Sequence, residues 1–204
     1  MNIALDIGHA NNTGSRGNGL EEHATAKTIA DHLAPMLRTQ GHAVTVIDFP
    51  RMDNDDDLAA TVRAINAGGY DISLSLHCDS AGSATACGAH VCHHRNYHSD
   101  GSYTDSARGK ALAKAIAGPL CKLMPGRADH VQARPDRSCK PNKTSLYVLR
   151  KTVPPAVLVE CGFLSNPGDA SLLRDTPGAI ARAIAQGLSL IHISEPTRQA
   201  EISY

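Results

Sequence analysis

Apolar positions along this chain fall into short unbroken runs that alternate with longer stretches of helical spacing. Residues 2–7 read as an apolar strand, and a glycine-rich loop follows from 8 to 19. From 21 to 39 the residues Ala26, Ile29, Ala30, Leu33 and Leu37 recur at helical intervals, with Pro35 expected to kink or divide the helix and Gly41 to end it. Residues 43–49 predict a second strand, 57–67 a second helix with aspartates near its amino end, and 71–76 a third strand. Beyond it the pattern predicts a strand at 87–92, a polar histidine-rich surface loop at 93–105, and a helix at 106–123 carrying Leu112, Ala115, Ile116 and Leu120. A long basic loop is expected from 125 to 143, then strands at 145–149 and 155–160, and a closing helix at 177–188 with proline at its start. Strand and helix in alternation imply right-handed crossovers. The fold class is therefore α/β, a single domain with a mixed, mostly parallel sheet flanked by helices.

Bulk properties narrow the function. The 204 residues suit one domain with a sizeable core, and Lys plus Arg balance Asp plus Glu, which removes the basicity expected of a nucleic-acid binder. No run approaches the roughly 18 apolar residues of a membrane span, so no membrane insertion is expected. The first strand follows Met1 without a basic and then apolar leader, which predicts synthesis in the cytoplasm without a signal peptide. A monomer is expected. Reduced thiols are favoured for the six cysteines. Cys78 and Cys161 follow His77 and Glu160, so on regular strands they face away from those neighbours as buried thiols.

The candidate chemistry lies where the apolar runs stop. Residues 2–7 lead to His9, the 71–76 strand to His77, and Ala156-Val-Leu-Val to Glu160. In open α/β sheets the ligand site lies beyond the carboxyl ends of the strands, where residues distant in sequence converge. A single histidine at a strand end is more often a hydrogen-bonded structural residue; two of them with a strand-end Glu and the run Glu160-Cys-Gly-Phe-Leu-Ser-Asn166 reverse that balance. Zinc hydrolases use three His or carboxylate ligands and leave a position for water. Glu21 or Glu22, opening the first helix, could fold back to supply the third. His90, His93, His94 and His98 suggest a second metal site less well, because a loop lacks preorganised geometry. The 14–19 stretch lacks the Gly-Lys-Ser/Thr ending of a phosphate loop.

In order along the chain, Asp6-Ile-Gly-His9, Gly19-Leu-Glu-Glu22, Ser75-Leu-His77 and Leu158-Val-Glu-Cys-Gly-Phe-Leu-Ser-Asn166 resemble the motifs of the zinc-dependent N-acetylmuramoyl-L-alanine amidases, over roughly residues 2–187. The resemblance implies His9, Glu22 and His77 as metal ligands, Glu22 being preferred to Glu21 by its spacing from Leu20. It implies Glu160 as the catalytic carboxylate, zinc as cofactor, and peptidoglycan as substrate, cut between N-acetylmuramic acid and L-alanine. Two positions depart from the family pattern: Ala10 stands for the usual Gly, and Cys78-Asp79 for Ala-Asn. Asp79 then either orients a ligand histidine or is a solvated loop residue. The basic residues Arg127, Arg134, Arg137, Lys140 and Lys143 are either a solvated face or a contact for stem-peptide carboxylates.

Without a leader, the resemblance points to a phage or prophage lysin that acts on the cell wall or periplasm after release. A noncatalytic wall-binding module and an amidohydrolase for another amide are the alternatives. Residues 1–187 are expected to form the catalytic domain. Residues 188–204 resemble the translation of a sequencing adapter, so this tail is expected to be non-native and without a role.

Overall fold

Strong alternation between apolar strands and amphipathic helices fixes a layered arrangement, because each sheet face must be covered. The computed structural model describes residues 1–10, 13–134 and 146–191. In chain order the elements are β1 (Asn2–Ile7), β2 (Arg16–Gly17), β3 (Leu20–Glu21), α1 (Glu22–Thr39), β4 (Ala43–Ile47), α2 (Asn54–Ala67), β5 (Ile72–Asp79) and β6 (His90–Tyr97). They continue as β7 (Tyr103–Asp105), α3 (Ala107–Leu123), β8 (Val131–Arg134), α4 (Tyr147–Lys151), β9 (Ala156–Phe163), α5 (Pro167–Asp175) and α6 (Pro177–Ser189). The main sheet runs β4-β1-β5-β9-β6-β7, with β8 on β6. Strands β4, β1, β5 and β9 are parallel, β6 runs antiparallel to β9, and β8 parallel to β6.

One sheet face buries Leu5, Leu74, Leu76 and Val159 against α1, α3 and α6, through Ile29, Leu33, Ile116 and Ile184. The opposite face carries a smaller cluster in which Ala4, Ala156 and Leu158 meet Ile65, Val148 and Leu149 of α2 and α4. Side chains alternate along each strand, so the small second face carries Ser73, Ser75, His77 and Asp79 on β5. Polar residues thus gather on that face toward the carboxyl ends of the parallel strands. Cys78 and Cys161 point the other way and are fully buried.

Several elements differ from the sequence pattern. The 145–149 run is not a strand: Tyr147–Lys151 is the short helix α4, because an apolar run of that length fits either state and the adjacent Val148 and Leu149 are both buried. Residue 145 lies outside the described residues, as do Arg137, Cys139, Lys140 and Lys143 of the basic segment. That segment is not wholly loop, since Val131–Arg134 pairs with β6. Nor is 93–105 a loop: β6 extends to Tyr97 and turns back through β7, with Arg95 hydrogen-bonded to Asp105 and stacked 3.8 Å from the Tyr103 ring centre. Helix α5 was not expected, although Asn166 caps it and Pro167 opens it. Helix α2 begins earlier because the Asp53 side chain accepts from the backbone N–H groups of Asp55 and Asp56. Pro35 does not divide α1; it lies on the exposed side, where water can satisfy the carbonyl it leaves free. Helix α6 carries a buried Leu188 in its last turn, and residues 192–204 lie outside the described residues.

Candidate metal centre

Strand β1 stops at Ile7 because the next two residues turn the chain: Gly8 donates its N–H to the Leu76 carbonyl, and His9 takes a left-handed backbone conformation, φ 63°. Gly8 also makes room for His77, whose ring would lie 2.3 Å from any Cβ at that position. Glu22 is the first residue of α1, where the helix N-terminus favours a carboxylate. Its N–H donates to the Ser15 carbonyl, and its Oε2 accepts from the Ser15 N–H at 2.7 Å. A side chain on Gly14 would collide with Glu22 at 2.8 Å.

These devices aim three donors at one point. Glu22 Oε1 lies 2.9 Å from His77 Nδ1 and 3.4 Å from His9 Nε2, and it accepts from the Cys78 N–H at 3.2 Å. One ligand atom from each of His9, Glu22 and His77 falls within 4.8 Å of the others. Two tetrahedral zinc ligands lie about 3.3 Å apart for bonds near 2.0 Å, so the donor set and its spacing fit that ion. Burial pushes the Glu22 carboxyl up, but the hydrogen bonds and charge of His77 and His9 outweigh it and hold the group below the carboxylate range. Glu21, by contrast, pairs with Arg16 at 3.1 Å on the surface.

Glu160 sits beside this triad. It is the register partner of His77 across β5 and β9, and of His90 across β9 and β6. Its Oε2 is sealed from solvent without a hydrogen-bond partner. Burial, reinforced by the charges of Asp79 and Glu22, pushes its carboxyl well above the usual range. Such a group readily accepts a proton and holds it.

Asp79 does not meet a triad histidine. Its Oδ1 accepts from the Ser80 N–H, and its Oδ2 lies 3.9 Å from Nε2 of His90. His90 is 1% exposed, its Nδ1 has no partner, and burial with the charges of Arg127 and Arg134 pushes its pKa down to about 3. Histidines 93 and 98 are engaged elsewhere, with the His94 carbonyl and the Thr104 hydroxyl. Among the described residues only the His9, Glu22, His77 group could hold a metal. The sequence pattern gave no sign of the clearances at Gly8 and Gly14, or of buried Asp6, which accepts from Ser75 Oγ at 2.5 Å beneath the site.

The sequence model of the family described as N-acetylmuramoyl-L-alanine amidase matches residues 3–189. The chain is 30% identical over 192 residues to the N-acetylmuramoyl-L-alanine amidase CwlM of Bacillus licheniformis, covering 93% of this chain and 68% of that protein. It is 29% identical to the N-acetylmuramoyl-L-alanine amidase LytC of Bacillus subtilis, over 84% of this chain and 31% of that longer one. Among solved structures, the catalytic domain of the CD27L endolysin targeting Clostridia difficile superposes with a TM-score of 0.74 at 25% identity, covering 93% of this chain and 97% of that one. The amidase AmiC2 of Nostoc punctiforme shares the fold with a TM-score of 0.73 at 22% identity, over 96% and 98%.

Proposed function

The chain belongs to the N-acetylmuramoyl-L-alanine amidase family, and from that premise we propose that it cuts the amide between N-acetylmuramic acid and L-alanine as a zinc enzyme, with His9, Glu22 and His77 as ligands and Glu160 as the catalytic carboxylate. The observation that carries this reading is the cluster of two imidazoles and a carboxylate beside Glu160, whose Oε2 is sealed from solvent and unpartnered. Bound there, zinc would polarise the scissile carbonyl and bring the pKa of a coordinated water from about 15.7 toward about 7.

The chain's own residues supply the rest. Glu22 is locked by Ser15 and Cys78, so its carboxylate is already oriented. Glu160, raised in proton affinity, takes the proton of the attacking water and returns it to the departing alanine nitrogen. Water, amide and Glu160 exchange one proton, and the products are the lactyl carboxylic acid and a free amino terminus.

The test is digestion of purified peptidoglycan by the protein with and without a chelator, followed by mass analysis of the soluble products. Stem peptides that begin with free L-alanine, lost on chelation and restored by zinc, are the expected result. Binding to the wall without release would defeat the hydrolytic reading, and release that survives chelation would defeat zinc.

A further inference from the structure

Two neighbouring strands each bury a polar atom with nothing to bond. One atom is Oε2 of Glu160 and the other Nδ1 of His90, both sealed from solvent without a hydrogen-bond partner. Their residues are register partners: His90 on β6 lies directly opposite Glu160 on the antiparallel β9, so the two side chains leave the same sheet face. Residues opposed in this way hold their Cβ atoms about 4.5–5.5 Å apart. Across β5 the partner of Glu160 is His77, so the carboxylate stands between a proposed metal ligand and a second, unassigned imidazole.

The surroundings keep this imidazole in place. Its ring centre lies 6.3 Å from that of Phe163, the last residue of β9. Asp169 Oδ2 accepts from the N–H groups of Phe163 and Gly88, at 2.9 and 2.7 Å, and so ties the end of β9 to the segment that leads into β6. His90 Nε2 lies 3.9 Å from Asp79 Oδ2, beyond hydrogen-bond range, so Asp79 does not fix which ring nitrogen carries the hydrogen. Burial, with the charges of Arg127 and Arg134, keeps the ring neutral, with one N–H and one lone pair.

We propose that His90 is a positioning residue for Glu160: its Nδ1–H donates to Oε2 and holds that oxygen, which leaves Oε1 to meet the attacking water and the departing nitrogen. The inference rests on the amidase reading above. Each of the two atoms carries a desolvation cost while unpaired, and one bond between them removes both. A base oriented by a further group is the device that activated sites use in general. Here the orienting group comes from the adjacent strand, and the Asp169 clamp keeps the two strands in step. The bond persists through the cycle: Oε1 takes the proton of water and passes it to nitrogen, while the hydrogen on Nδ1 stays where it is.

The test has one arm that needs no turnover. In protein labelled with nitrogen-15 histidine, the ring signals missing from His90→Gln identify His90, and their shifts report its tautomer. Hydrogen on Nδ1 is expected in the wild type, and its departure from that nitrogen in Glu160→Leu. Hydrogen on Nε2 in the wild type, or a tautomer indifferent to Glu160→Leu, overturns the proposal. The second arm measures kcat and KM of zinc-loaded protein on a soluble N-acetylmuramoyl peptide, with zinc content and melting temperature recorded beside them. Asparagine can place an N–H where Nδ1 stood, glutamine only where Nε2 stood, and leucine neither. His90→Gln and His90→Leu are expected to lose about 10- to 100-fold in kcat at unchanged KM, the worth of a hydrogen bond to a charged group, and His90→Asn to recover most of that loss. In a Glu160→Gln background the His90→Leu change is expected to cost nothing further, because His90 acts through that carboxylate. His90→Asn no better than His90→Gln, or the full loss repeated in Glu160→Gln, defeats the proposal; the first comparison stands alone if His90→Leu does not fold. A zinc-loaded wild type without turnover would sink the amidase reading, and the tautomer arm would still decide the bond.

Discussion

His77 and Glu160 stand directly opposite each other on adjacent parallel strands, so the residue proposed to hold the metal and the residue proposed to move the proton share one sheet face at one register position. Neighbouring strands lie about 4.8 Å apart, which sets the two side chains side by side without any loop having to position them. A site built this way varies little as surface loops move.

The sharpest consequence is a separation of metal binding from turnover. Glu160→Gln should leave metal content at the wild-type level while hydrolysis of peptidoglycan falls by roughly 10²–10⁴, the usual worth of a positioned acid or base. His77→Ala should lose both. Metal analysis of the purified variants beside a turbidity assay on cell walls checks this, and normal turnover in Glu160→Gln removes Glu160 from the mechanism.

His9, His77 and Glu160 were legible in the sequence because each ends an apolar run, and a sheet gathers such ends at one edge. Glu22 was separable from Glu21 only through family spacing, since both carboxylates open the same helix. The physical distinction lies in Ser15, whose backbone N–H fixes Glu22, and in Arg16, which draws Glu21 to the surface. Strand β8 was hidden in the basic run from 125 to 143, because four residues are too short for a period to show, and it forms by pairing with β6. His90 falls within the strand predicted at 87–92, but an alternation of His, Cys and Val does not say that β6 is an interior strand. Gly8 left no mark at all, as the ring it accommodates lies far along the sequence.

Gly8 is therefore a position where a single methyl group should disturb the metal centre. In Gly8→Ala the added Cβ would meet His77 ring atoms at 2.3 Å, with β1 and β5 paired too tightly to part. Overpacking of this kind costs about 1–3 kcal/mol. Lower thermal stability and weaker zinc retention in a competition with a chromogenic chelator are expected together. A variant that retains zinc as tightly as the wild type would show that the His77 ring can move without consequence.

Asp57 should be a destabilising residue at neutral pH. It is 3% exposed, its Oδ1 has no hydrogen-bond partner, and burial, followed by the charges of Asp6 and Asp48, pushes its pKa up to about 6. A carboxyl raised in the folded state favours folding below its unfolded value near 3.8, and that contribution is lost as pH rises through about 6. Asp57→Asn should accordingly gain about 1–2 kcal/mol at pH 7.5 and almost nothing at pH 4, after allowance for the part of the field that solvent screens. Urea unfolding at the two pH values measures it, and an equal gain at both would assign the effect to packing instead of charge.

His90 should act in the opposite direction on the acid side. Its pKa falls from 6.5 to about 3 in the folded protein, first through burial and then through Arg127 and Arg134. Above pH 6.5 both folded and unfolded chains carry a neutral imidazole, and nothing is lost. Below it the unfolded chain takes up a proton that the folded one refuses until about pH 3, so stability falls as pH drops through that window. One proton of difference corresponds to a slope of about 1.4 kcal/mol per pH unit. Groups around the ring include Asp79 on β5, Glu160 on β9 and the two arginines, and they titrate in both wild type and variant. The comparison with His90→Gln therefore isolates the imidazole: urea midpoints between pH 4 and 6 should decline less steeply in the variant, by up to that slope, and converge with a constant offset above pH 7. Parallel lines across the whole range would mean that the His90 imidazole takes up its proton at the same pH in the folded and unfolded chains.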